Sequence, residues 1–310
     1  MLSRRQLRVK VLQALYAYFQ SDKKDLAVAE RELFRSVEKV HELYIYLLQF
    51  ILELAEADKA DVDELQNKYF PDQDELKARL RLYQFSFVKV LSENSVFLSD
   101  RKRWKTTWQK DHELVRKLFF EMKRSPEFRT FLTSETVDEK LYLQEIVKKY
   151  VEQSEVMLHH IEEENIFWAE DLSFVVHMVN RTVRQYYESG RLEIFEVYKD
   201  EKDDKDFVRT LFTQCVLNNK EYEAAVSERT QNWDLERIAM MDILILKMAL
   251  AELIHFPGIP IKVSINEYIE ISKDYSTPKS KQFVNGIIDK LAIDYKKSGK
   301  IVKTGRGLME

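Results

Sequence analysis

Cationic side chains are the residues whose type and spacing could do chemistry in this chain. Arg4, Arg5 and Arg8 fall close together. On a helix Arg4 and Arg8 stand one turn apart on one flank, with Arg5 beside them. Such a flank can neutralise phosphates and stack on the exposed bases of single-stranded RNA. A solvated helix flank is the plainer reading of the same three residues. A second cluster, Arg101-Lys102-Arg103-Trp104-Lys105 with Trp108 and Lys110, interleaves cations with aromatics. That pattern can extend a stacking surface for RNA, although tryptophans four apart more often form one buried stripe beneath a charged face. Basic residues also gather over Lys273–Lys303, while Glu193–Asp206 is acidic. The net charge of −4 gives no overall pull towards nucleic acid, so the local distribution has to carry the argument.

The other reactive groups do not assemble into a catalytic constellation. His159-His160 with Glu162, Glu163 and Glu164 supplies i,i+4 pairs that share a helical face and can hold a metal ion. A solvated helix surface accounts for them better. Cys215 is the single cysteine, which excludes an internal disulfide and a four-cysteine zinc site. Its neighbours Phe207, Leu211 and Val216 mark it as a packed thiol. There is no glycine-rich phosphate loop, and no Ser/His/Asp or Cys/His motif stands in a recognised context. The expectation is a protein that is not an enzyme and needs no cofactor or metal.

The elements that must position these cations read as helices. The chain has six glycines and five prolines, and no glycine precedes Gly190. Sheets with tight turns need more glycine, whereas Leu, Glu, Lys and Arg lose little freedom in helices. The expected fold class is therefore all-α. Leu7, Val11, Leu15 and Tyr18 form an apolar stripe on a first helix over about Ser3–Phe19. A long helix follows through Leu33–Leu54, with a polar break at Ala57–Asp63. Further helices are expected near Leu76–Leu91, over Arg101–Met122, from Pro126, from Thr136 towards Glu163, and from Asp171 to a C-cap at Ser189-Gly190. Beyond the acidic run, taken as a linker or the polar start of a helix, comes a helix at Asp206–Leu217. A short one near Glu221–Arg229 and an apolar one capped by Asp234 follow. Ser264 with Glu267 reads as a capping box, and Thr277-Pro278 as the start of the last helix. The apolar run Ile238–Phe256 carries Asp242, Lys247 and Glu252, which suits a buried core helix rather than a membrane span. A cytoplasmic protein is expected.

Five segments resemble, in order and spacing, the NusB family of transcription antitermination factors. They are Arg4-Arg5-Gln6-Leu7-Arg8 with Gln13-Ala14-Leu15-Tyr16; Asn232-Trp233-Asp234-Leu235-Glu236-Arg237-Ile238 leading into Asp242–Leu253; Ile259-Pro260; Ser264–Glu270; and Lys281-Gln282-Phe283-Val284-Asn285-Gly286-Ile287-Ile288-Asp289. The resemblance implies a discontinuous RNA-binding helical domain formed by residues 1–25 and 204–298. Residues 26–203 are then an inserted helical region, and 299–310 a basic, flexible tail. It implies that boxA-like RNA binds along the first helix and the start of the last. The RNA-facing residues by position are Arg4, Arg5, Arg8, Tyr16, Lys279, Ser280, Lys281 and Phe283. Core packing is an equal reading for Tyr16 and Phe283.

The resemblance also implies a protein partner, the ribosomal protein NusE, meeting Glu236 and Asp242, and a place in the transcription elongation complex. For Glu236 a first-turn dipole interaction is the alternative, and for Asp242 a buried, hydrogen-bonded carboxylate. The sequence departs from the family's pattern at Gln6, where a basic residue is common, at Ser276, where glycine is common, and at Lys279, where an acid is common. A helical protein–protein scaffold with lost or altered RNA binding is the rival reading. Salt-dependent RNA binding separates the two.

Overall fold

The computed structural model describes residues 1–69, 81–133, 138–230 and 239–308. Among these residues the fold is all-α, without strands. The helices are α1 (Arg4–Gln20), α2 (Leu26–Gln66), α3 (Ser86–Glu93), α4 (Ser95–Trp104), α5 (His112–Arg124), α6 (Pro126–Thr133) and α7 (Glu139–Val147). They continue with α8 (Glu155–Glu164), α9 (Leu172–Ser189), α10 (Glu201–Leu217), α11 (Asn219–Arg229), α12 (Met240–His255), α13 (Ile261–Tyr275) and α14 (Ser280–Lys297). The chain forms two compact units. One joins Met1–Val37 to Val197–Glu310, and the other is Glu38–Glu196, so the boundary at Val37 falls inside α2.

In the unit formed by the chain ends, α12 is the central element. It packs against α1, α10, α11, α13 and α14. Its apolar side chains face inward on all sides, from Leu244 through Leu253, as expected of a helix with no polar stripe. Its three charges are also buried, and each has a counterpart. Lys247 Nζ donates to Asn219 Oδ1 at 2.8 Å and Glu223 Oε2 at 2.9 Å. Asp242 accepts from Ser280, and Glu252 from Arg8. Cys215 is fully buried, and burial pushes its thiol pKa up, which suits an unreactive core thiol. No helix of the described residues is long and apolar enough to cross a membrane.

Within Glu38–Glu196, aromatic packing explains several departures from the expected elements. Tyr46 stacks on Trp108 with ring centroids 4.2 Å apart, and Trp108 Nε1 donates to the Tyr46 carbonyl at 3.1 Å. Trp108 thereby sits in a loop, and the helix expected over Arg101–Met122 is two helices, α4 and α5. Lys105 closes α4 in the left-handed region at φ +56°. Trp104 is half-buried, its indole N–H donating to His41 Nδ1 at 3.0 Å, so the tryptophans of the basic–aromatic cluster serve packing.

The polar break expected at Ala57–Asp63 is absent, because the inward carboxylates there are answered. Asp58 accepts from Leu82 N–H at 2.7 Å, and Asp61 is held by Lys123 at 2.8 Å. The helix expected to run on towards Glu163 is interrupted by a π-helical turn at Lys148–Glu152, after which Ser154 caps α8. Thr136, read as the start of that helix, lies outside the described residues. Gly190, at φ +71°, ends α9 as a left-handed cap.

Candidate nucleic-acid interface

The N-terminus of α1 is fixed by a capping box. Ser3 Oγ accepts from Gln6 N–H at 3.3 Å, and Gln6 Oε1 accepts from Ser3 N–H at 3.2 Å. Gln6, which stands where the family commonly has a basic residue, thus has a structural task. Leu7, Val11, Leu12 and Leu15 bury the opposite side of the helix and set its rotation.

That rotation separates the three arginines. Arg5 is partly exposed and forms a two-pronged pair with Glu267 on α13, both bonds at 2.9 Å. The pairing holds the Glu267 carboxyl below the usual range and raises the Arg5 guanidinium. Arg4 is half-buried, pairs with Asp203 and with Asp204 at 3.2 Å, and lies 4.3 Å over the Phe207 ring.

Arg8 does not belong to the exposed face. It is 2% exposed and binds Glu252 through Nε and a terminal nitrogen, both at 2.7 Å. Burial by itself would lower the Arg8 pKa, but the hydrogen bonds and charge of Glu252 leave it raised. Glu252 also accepts from Ser264 Oγ at 2.7 Å and Tyr268 OH at 2.9 Å. Ser264 is therefore inside a helix that begins at Ile261, and the capping box expected from Ser264 and Glu267 is replaced by these two core and surface pairings.

The start of the last helix is a turn. Thr277, Pro278 and Lys279 precede α14, and Ser280 N–H donates to the Thr277 carbonyl at 2.9 Å. Ser280 is 1% exposed and donates to Asp242 Oδ2 at 2.7 Å. Neither Ser280 nor Asp242, which is 5% exposed, presents its side chain to a partner. Instead the pair ties α14 to α12. Lys279 and Lys281 are exposed and carry no ion pair among the described residues, while Phe283 is half-buried. Glu236 and Asp234 lie outside the described residues.

Arg5 and Lys281 share a neighbourhood. Glu270 on α13 hydrogen-bonds Lys273, which together with the nearby Arg5 and Lys281 charges keeps its carboxyl low. Tyr16 is 42% exposed and stands eleven residues from Arg5, three helical turns, or roughly 16 Å along the same side of α1. This region thus holds Arg5 and Lys281, with Tyr16 further along α1 and Lys279 just ahead of α14.

Next to it lies an open cleft of about 1080 Å³, lined by Arg4, Arg5, Phe207, the Phe256–Pro260 loop and Arg306. The tail expected to be flexible contributes to it. Ile301 is buried, and Thr304 N–H donates to the Pro257 carbonyl at 3.0 Å. Sequence reasoning did not anticipate Glu252, Glu267, Asp203, Asp204 or Arg306 at this site. For Glu252 a signal existed, since a lone acid in an apolar helix requires a buried counter-charge.

Among known proteins, residues 173–292 match the NusB family model. The match begins inside α9, ahead of residue 204, and leaves α1 outside it. The transcription antitermination protein NusB of Salinibacter ruber is 43% identical over 105 residues, 34% of this chain and 66% of that protein. The protein of the same name from Chloroherpeton thalassium is 40% identical over 106 residues, 34% of this chain and 50% of that one. The chain therefore spans between half and two thirds of these relatives' length. A solved structure of T. maritima NusB is 26% identical, with a TM-score of 0.31, and covers 54% of this chain and 98% of its own. Residues 173–292 thus carry a NusB-family domain within this longer chain.

Proposed function

We propose that this protein is a transcription antitermination factor that binds boxA-like single-stranded RNA together with the ribosomal protein NusE. In that role it joins the transcription elongation complex and supports rRNA transcription in the cytoplasm. The observation that carries the reading is the 43% identity over 105 residues to a protein named for antitermination.

The cations that reach solvent on α1 and at the start of α14 fit RNA chemistry. Arg4 and Arg5 on α1, with Lys279 and Lys281 at the start of α14, offer charge to phosphates, and Tyr16 offers a ring to a base. Phe283 lies half-buried at the same end of α14. Arg8 and Ser280 act from beneath, holding the two helices through Glu252 and Asp242. In this reading residues 1–25 and 204–298 form the RNA-binding domain, and 26–203 is an inserted helical region. NusE is the protein partner in this reading; of the two residues expected to meet it, Glu236 lies outside the described residues and Asp242 is buried.

The test is binding of a labelled boxA-type RNA across a salt series, with and without NusE. Wild-type protein is expected to bind with steep salt dependence, most tightly with NusE present. Arg5→Ala combined with Lys281→Ala should reduce the slope of log K against log salt by about 1.4, as expected for two lost phosphate contacts on a single strand. Salt-insensitive or absent binding, even with NusE, sinks this reading in favour of a protein scaffold.

A further inference from the structure

One residue that lines the cleft, Arg306, lies C-terminal to the family match, which ends at residue 292. After α14 the chain turns back. Ile301 is 5% exposed, and Lys303 Nζ donates to the Phe256 carbonyl at 3.0 Å, next to the Thr304–Pro257 bond. Gly307 then passes so close to Pro257 that a Cβ placed on it would fall 1.9 Å from the Pro257 carbonyl oxygen. Backbone is the obstacle, so no side chain fits at 307 while this segment stays docked. The docked turn Gly305–Leu308 sets Arg306 on the cleft, with its side chain exposed.

The pairing of charges in the cleft singles out Arg306. The carboxylates on its walls are Asp203, Asp206 and Glu267. Asp203 pairs with Arg4, Asp206 with Arg209 at 3.6 Å, and Glu267 with Arg5 at 2.9 Å. Arg8 is used by Glu252. Arg306 has no ion pair among the described residues, so it is the surplus positive charge. Pro257, Ile259 and Val263, which line the same cleft, offer apolar surface to a sugar or base.

We propose that the docked C-terminal segment builds a phosphate-binding subsite for single-stranded RNA, with Arg306 as the residue that contacts the phosphate. The subsite continues the α1 face across the cleft, and it rests on the RNA-binding reading above. A guanidinium presents a fork of donors that matches phosphate oxygens, and it has no carboxylate to release first.

The experiment uses the full chain with a fluorescently labelled boxA-type RNA across a salt series. Arg306→Ala is expected to weaken binding roughly three- to ten-fold at low salt, the loss of one exposed charged contact. It should also reduce the salt slope by about 0.7. Gly307→Ala keeps the arginine but cannot keep its placement, and is expected to lose affinity in the same range. Wild-type affinity and slope in Arg306→Ala overturn the subsite. Wild-type binding in Gly307→Ala, with Arg306→Ala impaired, overturns the docked placement. Failure of the wild-type protein to bind RNA with or without NusE is a different result. It overturns the RNA reading, and the subsite falls with it.

Discussion

Arg5 and Arg8 show how the same residue type serves two ends within one turn of helix, one pairing at the surface and one in the core. Arg4, Arg5 and Arg8 look alike in the sequence, and spacing alone puts them on one flank. What distinguishes them is the rotation of α1 set by Leu7, Val11 and Leu15, and the position of Glu252 on a helix more than 240 residues away, as the Arg8–Glu252 hydrogen bonds record. Neither fact is local, so neither was legible. The charges in the apolar run Ile238–Phe256 were legible as core residues, but their partners were not. Breaking the buried pair leaves an unanswered charge in the core, which costs about 3–5 kcal/mol. Glu252→Ala is therefore expected to lower unfolding free energy by that order in denaturant titration. Arg8→Met with Glu252→Leu should cost less than either single truncation. A single Glu252→Ala variant as stable as wild type would show that Arg8 finds another partner.

At the scale of elements, helix type was legible and helix ends were not. Glycine scarcity and apolar periodicity report the backbone state of long segments. Ends depend on which polar groups find partners in the folded chain. The continuous α2 is one case: its Asp58 reads as a break, yet it is buried against Leu82 N–H and Arg81. Burial, only partly offset by Arg81, pushes the Asp58 carboxyl up to about 6 from its usual 3.8. A carboxyl raised in the folded state takes up protons on folding. Its contribution is complete below the unfolded value and is lost as pH rises through the folded one. Stability should fall by roughly 2–3 kcal/mol between about pH 4 and pH 7 from this group. Asp58→Asn keeps an acceptor for Leu82 and removes the titration, so its melting temperature should vary less over that range. A pH profile unchanged by the substitution would place the titration elsewhere. The docked Gly305–Leu308 turn is the second case, because a close approach of Gly307 to Pro257 leaves no periodic trace in sequence.

At the scale of the whole molecule, the segments that carry the family resemblance lie in the unit formed by Met1–Val37 and Val197–Glu310, and the family match itself extends back into α9. The unit has a core of its own: α12 is enclosed by α1, α10, α11, α13 and α14, all from the chain ends. Burial of side chains such as Leu244, Leu246 and Leu253 contributes about 1.5–3 kcal/mol each. The closing of α1 onto α12 through Arg8 and Glu252 likewise stays within the unit. Replacing Glu38–Glu196 by a short glycine–serine linker between Val37 and Val197 is therefore expected to leave a helical protein that melts cooperatively. If α1 and α14 carry the RNA surface, the shortened protein should also bind boxA-type RNA with the salt slope of the full chain. Circular dichroism and the same binding titration check both parts. Aggregation, or a non-cooperative melt, would mean that the core around α12 is not self-sufficient. A folded product with a reduced slope would instead assign some of the phosphate contacts to Glu38–Glu196, where Arg101, Lys102, Arg103, Lys105 and Lys110 are the cations to substitute next.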